Sequence, residues 1–163
     1  MSAAADLEQV LQAGRNTLER AFGATAMLQV GASQSSPSGL QLAQLDRAAA
    51  DWAMSHGQPA GRHTQTLAGA AWWFLPLLGN DQVIGVVGLQ ENTQQRQLSA
   101  ENRRLAEAIC TDIAQAALRT TLVAELEAAR VSNETERLRS ALLSSVSHLS
   151  LIHISEPTRP LYI

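Results

Sequence analysis

Cysteine is all but missing from this chain of 163 residues: Cys110 stands alone, which excludes an internal disulfide and fits a reducing compartment. Its neighbours place it on a helix, where a free cysteine behaves as a small buried apolar residue; a reactive thiol is the alternative. Long apolar runs are missing as well. None approaches the roughly 20 residues needed to cross a bilayer. The opening Met1-Ser2-Ala3-Ala4-Ala5-Asp6 lacks the basic-then-apolar order of a signal peptide. The chain is therefore expected to be soluble and cytoplasmic, without membrane contact of its own. An excess of positive charge is also lacking. The formal net charge is −3, and no basic stripe, RNA-binding motif or zinc-finger spacing occurs, which argues against a nucleic-acid partner. No internal repeat is present.

What is there suits one globular domain with an appendage. Apolar residues make up 45% and charged residues 17%, and three tryptophans with many Leu, Val and Ile residues can fill a single core. Leu7, Val10, Leu11, Leu18, Ala21 and Phe22 recur at helical spacing, predicting a helix over residues 4–22 that Gly23 ends. Residues 24–30 read as a strand with Ala26, Leu28 and Val30 on one face. The Gly-, Ser- and Pro-rich stretch 31–39 reads as a surface loop, with a very short strand near Leu40 to Leu42. Leu45, Ala48, Ala49, Trp52 and His56 define a second helix, about 44–56, which Gly57 stops. Residues 57–69 then form a long connecting loop, since Gly57-Gln58-Pro59-Ala60-Gly61 cannot sustain a helix.

Residues 70–78 are bulky and aromatic and favour a strand, with Pro76 marking an edge or a bulge. The turn signal Gly79-Asn80-Asp81 leads into a valine-rich strand from Gln82 to Gln90, giving an antiparallel hairpin. Gly85 and Gly88 would let another element approach that sheet closely. After a polar loop at 91–97, Ser99 can cap a helix and Glu101 complements its dipole. From Ser99 to about His148 there is neither glycine nor proline. At about 1.5 Å per residue an unbroken helix of that length reaches on the order of 75 Å, too long to pack wholly on one small domain.

The character of this helix changes along its course. Leu105, Ile109, Ile113, Ala116 and Ala117 give a stripe suited to a sheet; Leu118, Leu122 and Leu126 continue it. Residues 127–137 are polar, and Leu138, Leu142 and Val146 restart an apolar face. Such a helix is normally stabilised by a partner, most simply its twin in a homodimer; folding back on a monomer is the alternative. The expected class is α/β (α+β), an antiparallel sheet with flanking helices and a protruding C-terminal helix.

Few residues carry chemistry. His56 and His63 are seven apart with no Cys or carboxylate at ligand spacing, so no metal site is expected; His56 caps or decorates a helix end. Trp52, Trp72, Trp73 and Phe74 either form core or line a small-molecule pocket. His148 is a candidate nucleophile, because an imidazole nitrogen can accept a phosphoryl group at neutral pH. No glycine-rich phosphate loop or acidic metal cluster accompanies it, so no cofactor is expected in this chain and it is not expected to act as an enzyme by itself.

Glu136-Arg137-Leu138-Arg139-Ser140-Ala141-Leu142-Leu143-Ser144-Ser145-Val146-Ser147-His148 resembles the start of a histidine-kinase phospho-acceptor (HisKA) box. Upstream, Gly57-Gln58-Pro59-Ala60-Gly61, Thr64-Gln65-Thr66-Leu67-Ala68-Gly69, Trp73-Phe74-Leu75-Pro76-Leu77 and Gly85-Val86-Val87-Gly88-Leu89 resemble the GAF domain of KdpD-like, potassium-responsive sensor kinases. The resemblance covers about residues 4–148. It implies a GAF-like sensory domain over 4–97, its last helix continuing to about 120, and a signalling helix over 98–148 that ends at a truncated acceptor box. It implies a sheet with helices on one side, His148 as a phospho-acceptor remnant inactive in this chain, and a homodimer. In the intact parent it implies ATP and Mg²⁺ in a separate domain, a response regulator as partner and an inner-membrane anchor. A stand-alone GAF-type small-molecule-binding domain is the alternative. After His148 the family pattern expects an acidic residue. Instead Leu149-Ser150-Leu151-Ile152-His153-Ile154-Ser155-Glu156-Pro157-Thr158-Arg159 is similar to a translated transposase sequencing adapter, which implies that residues 149–163 are not native.

Overall fold

The computed structural model describes residues 2–92 and 98–155, with side chains described as far as Leu149. The tail 156–163 and most of the expected 91–97 loop lie outside the described residues. Two compact units are distinguished, Met1–Leu122 and Val123–Ile163.

The first unit begins with α1, Ala3–Phe22. The Ser2 hydroxyl accepts from the Ala5 amide at 3.2 Å, satisfying one of the free N–H groups of the first turn. At the other end Gly23 takes the left-handed conformation (φ 59°), and its N–H bonds to the Glu19 carbonyl at 2.9 Å. The buried face is Leu11, Gly14 and Leu18. Gly14 is small for a reason: a Cβ there would lie 2.8 Å from the Ile113 side chain, so α1 meets the later helix at glycine. Ala21, expected on the apolar face, is exposed.

Five antiparallel strands form one sheet in the order β2-β1-β5-β4-β3, where β1 is Ala24–Val30, β2 Ser33–Ser35, β3 Ala60–Gly61, β4 Trp73–Gly79 and β5 Gln82–Glu91. Two edge strands differ from expectation. The strand anticipated near residues 40–42 is absent from the sheet; the partner of β1 lies inside the expected loop, where Ser35 pairs with Leu28 and Ser33 with Val30. Likewise the 57–69 connection contains β3, which pairs Ala60 with Phe74 and Gly61 with Trp73. The aromatic strand starts at Trp73, not at residue 70. Pro76 lies past the end of β3, on an otherwise unpaired edge, and a register shift follows at Leu77/Leu78. Asn80 and Asp81 form the whole hairpin loop, both at positive φ (52° and 60°), as the twist of a two-residue hairpin demands. Gly85 and Gly88 serve the sheet itself. A Cβ on Gly85 would meet the Gln29 carbonyl oxygen of β1, and one on Gly88 would lie 2.8 Å from both Met27 and Phe74.

Side chains alternate across the strands. Ala24, Ala26, Leu28, Trp73, Leu75, Leu77, Val87 and Leu89 pack with α1 and with Ala106, Cys110, Ile113 and Ala114 of α3, Ala100–Ser155. Met27, Phe74 and Val86 face the other way, where they join Trp72 and Ala49, Ala50 and Ala53 of α2, Gln44–His56. Helices therefore cover both faces, not one side, because β1, β4 and β5 each place an apolar side chain, Met27, Phe74 and Val86, on the second face as well. The stripe expected on α3 holds at Ile113 and Ala117, which are buried, and differs at its start: Ala106 and Cys110 are buried, whereas Leu105 is 45% exposed. Small residues let this helix lie close to the sheet.

Ser99 caps α3 through its hydroxyl to the Asn102 amide at 3.1 Å, and the helix continues unbroken for 56 residues. In the second unit Val123, Leu126, Leu138, Leu142, Leu143, Val146 and Leu149 are all exposed.

The two-sided core gives a direct contrast. Phe74→Ala should lower the unfolding free energy by about 3–5 kcal/mol, whereas Leu105→Ala should change it by less than about 0.5 kcal/mol, both read from denaturant unfolding. A large loss at Leu105 would contradict the observed helix face.

Candidate functional site

Buried polar side chains are rare in the first unit: Ser35 of β2 donates to Gln12 Oε1 at 3.0 Å, and Asp46 serves the connection from α2 to β4. Asp46 sits in the first turn of α2 but does not cap it. It is 5% exposed, and its Oδ1 accepts from the amides of Ala71 (2.8 Å) and Trp72 (3.1 Å). A buried carboxylate is tolerable only with such charge-assisted bonds. The connection then folds on itself. The Gly61 amide donates to the Thr66 carbonyl at 2.8 Å and the Arg62 amide to the Trp72 carbonyl at 3.0 Å. Thr64 Oγ1 lies 2.7 Å from the Gly61 carbonyl oxygen and 2.8 Å from that of Thr66. His63 and Leu67 are held at φ 66° and 55°, a left-handed conformation that costs energy for a branched or bulky residue and persists only where neighbours impose it.

This connection presents His63 to the end of β5. His63 Nε2 lies 3.4 Å from Glu91 Oε1, and its ring meets Trp73 edge-on with centroids 6.0 Å apart. The 3.4 Å approach lacks hydrogen-bond geometry, for His63 Nε2, Glu91 Oε2 and Trp73 Nε1 are all buried without a hydrogen-bond partner among the described residues. An unpaired buried donor or acceptor costs about 1–3 kcal/mol. The three groups border a cavity that Phe22, Ala24, Leu89 and Leu98 close on its apolar side, with Arg62 beside them. It offers about 10 Å³ of room for the centre of a water molecule. On its outer side, Arg103 Nη2 of α3 donates to the His63 carbonyl at 3.0 Å, tying the connection to the first turns of that helix.

The residues singled out in the sequence fall in different places. His56 lies at the end of α2, with Nδ1 3.1 Å from the Trp52 carbonyl and its ring stacked on Trp52 at 4.2 Å. Trp72, Trp73 and Phe74 are core, and Trp52 is half-buried on the helix surface. Among the described residues no three His, Cys, Asp or Glu side chains come together as metal ligands. Cys110 is buried, and burial first, then the charge of Glu107, pushes its thiol up to about 12. His148 is exposed on α3 in the second unit. Asp46, Glu91 and Trp73 as a donor had no motif to announce them. The available signal for Asp46 was an acidic residue in a first helical turn that begins without a side-chain cap.

These features define an α+β domain whose antiparallel sheet is enclosed by helices and whose last helix continues beyond it. A family model described as "GAF domain" matches residues 6–119, and the chain belongs to the GAF domain family. It is 37% identical over 103 residues to "Sensor protein KdpD" of Escherichia coli, covering 63% of this chain and 12% of that protein. It is 33% identical over 103 residues to the protein of the same name from Clostridium acetobutylicum, covering 63% and 11%. The chain thus spans about an eighth of the length of these relatives. Among solved structures, the GAF domain of the potassium sensor histidine kinase KdpD from Escherichia coli aligns with a TM-score of 0.62 at 24% identity, covering 76% of this chain and 94% of that one. The GAF domain of an Acinetobacter phosphoenolpyruvate-protein phosphotransferase aligns with a TM-score of 0.56 at 12% identity, covering 74% and 87%. Both establish the fold. Among the described residues no helix is long and apolar enough to cross a membrane.

Two outcomes follow. Asp46→Ala should destabilise the fold by about 1.5–3 kcal/mol, since it strips the acceptor from the buried Trp72 amide and the part-buried Ala71 amide, and Asp46→Asn should cost less; denaturant unfolding measures both. The fold favours the neutral Cys110 thiol, so its contribution to stability should be complete below the ordinary value of 9.0 and fall as pH rises from there towards 12. A pH series of melting curves, compared with that of Cys110→Ala, reads this directly.

Proposed function

We propose that the chain is the GAF sensory and relay module of a KdpD-like two-component sensor histidine kinase, running into the first part of its phospho-accepting helix. The observation that carries this reading is the 37% identity to a sensor protein KdpD across the domain. Ser147-His148 supports it, because the motif falls within α3, where the imidazole is open to solvent.

On this reading the domain sets the arrangement of paired α3 helices, and that arrangement governs access to His148. A stimulus acts only if it binds the two arrangements unequally. The partner is a second copy of the chain. Val131, Leu138, Leu142 and Leu149 recur at spacings of seven and four along one side of α3, and all are exposed in the single chain. A solvated stripe of that kind is stabilised by an identical stripe opposite. In the intact parent a separate domain supplies ATP and Mg²⁺, the phosphoryl group passes from His148 to a response regulator, and an inner-membrane segment provides the anchor. The potassium or osmotic stimulus comes with the same resemblance.

His148 alone cannot carry that chemistry here. Phosphoryl transfer needs a positioned donor as well as a nucleophile, and Leu149 stands where the kinase pattern has an acidic residue. The adapter-like residues 149–163 account for that departure as a segment foreign to the parent.

Sedimentation should show a concentration-dependent dimer that Leu138→Asp with Leu142→Asp converts to monomer while the domain still melts cooperatively. A monomer at high concentration would remove the paired-helix reading. Incubation of the purified chain with labelled ATP should leave His148 unlabelled, and autophosphorylation would overturn the assignment of the catalytic parts to another domain.

A further inference from the structure

The cavity between the α2–β4 connection and the end of β5 has an unusual lining for so small a space. Three of its lining residues, Trp73, His63 and Glu91, each carry a buried polar atom, the indole N–H, Nε2 and Oε2, with no hydrogen-bond partner among the described residues. Trp73 is only 3% exposed, so its donor cannot turn to bulk solvent. The types are complementary. An indole N–H can only donate, a carboxylate can only accept, and an imidazole nitrogen does either according to its tautomer. Yet they do not satisfy one another directly, for even the approach of His63 to Glu91 lacks hydrogen-bond geometry at 3.4 Å. The room available, about 10 Å³ for the centre of a water-sized sphere, corresponds to one water and to nothing larger.

We propose that this cavity is a built hydration site for a single, long-lived water that accepts from Trp73 Nε1 and donates to Glu91 Oε2, with His63 Nε2 as its third corner. A water so placed has the two to four polar partners that buried waters typically have. It joins three elements at once: β4 through Trp73, β5 through Glu91, and the strained connection through His63. Because the His63 carbonyl also accepts from Arg103 Nη2, the same water lies one residue from the bond that holds the connection to α3. Hydration of the pocket and the seating of α3 on the domain are therefore coupled through His63. This inference does not depend on the kinase reading, since every group it uses lies in the first unit.

The test uses the full chain labelled with ¹⁵N. Trp73→Phe assigns the indole resonance of Trp73 among the three tryptophans. In the wild type that indole proton should be protected from solvent exchange and still show cross-relaxation with a bound water. Glu91→Gln, which keeps an acceptor, should retain the signal, and Glu91→Met should lose it. Amide exchange at residues 62–66 should speed several-fold in Trp73→Phe. A protected Trp73 indole with no water cross-peak in the wild type would overturn the site, whatever the variants do. So would a crystal structure showing Trp73 Nε1 bonded directly to the Glu91 carboxylate. Unchanged exchange at 62–66 would overturn the coupling.

Discussion

Burial on two sides at once is the constraint from which the rest of this domain follows. The central strands β1, β5 and β4 are apolar on both faces, with Trp73, Leu75 and Leu77 set against one layer of helices while Phe74 faces the other. Such strands cannot be left open to water, since each large side chain exposed would forfeit about 1.5–3 kcal/mol. The sheet must therefore be enclosed, and among the described residues α1 and α3 cover one face and α2 the other. That requirement selects small residues where backbones meet. Gly14 of α1 faces Ile113, while Ala106, Cys110 and Ala114 bring α3 close to the sheet.

Enclosure by α2 creates a second problem, because the chain must return from the end of that helix to β4. The return is an irregular segment with backbone groups beneath a packed surface, and each has to be paired. Asp46 receives two amides, Thr64 ties the segment to itself, and β3 supplies two residues of sheet. Positive φ at His63 and Leu67 is the cost of the tight path. What results is a loop with one side chain, His63, lining the small cavity beside β5 and one carbonyl accepting from Arg103. That hydrogen bond joins the loop to the first turns of α3.

Much of this architecture was legible because it rests on local rules. The helix over 4–22 with its Gly23 cap, the Asn80-Asp81 hairpin and the Ser99 cap each depend on residues within a few positions of one another. The elements that escaped depend on pairing across the chain. Ser33–Ser35 has no apolar alternation and becomes a strand only because β1 offers it an edge. Ala60–Gly61 is too short to carry a pattern, and Gly61 is chosen because a Cβ would collide with the Trp72 carbonyl oxygen. The stripe of α3 holds at Ile113 and Ala117 but not at Leu105, because leucine outranks alanine in hydrophobicity, whereas close packing on a sheet prefers the smaller Ala106. The buried cluster around Glu91 was invisible for a related reason: its members are 28 residues or less apart in sequence but share no motif spacing, and only the return of the chain along β4 and β5 brings them together.

The same rule of small residues explains why α3 changes character where it does. Up to Ala117 its buried positions are alanine, cysteine and isoleucine, fitted to a surface already present. From Val123 to Leu149 the large apolar residues are leucine and valine, all exposed, separated by the polar stretch in which Arg130 bridges Glu127 at 2.7 Å and Glu134 at 3.3 Å. Ion pairs this open to water add little to stability and are weakened by salt. They favour helix over coil through the polar stretch without fixing it against anything. The two apolar faces therefore answer different demands. One is shaped to a sheet within its own domain, and its side chains are small because the partner is close. The other presents leucine and valine to solvent. The single chain buries the first face and leaves the second open, so local helix propensity rather than packing supports α3 from Val123 to Leu149.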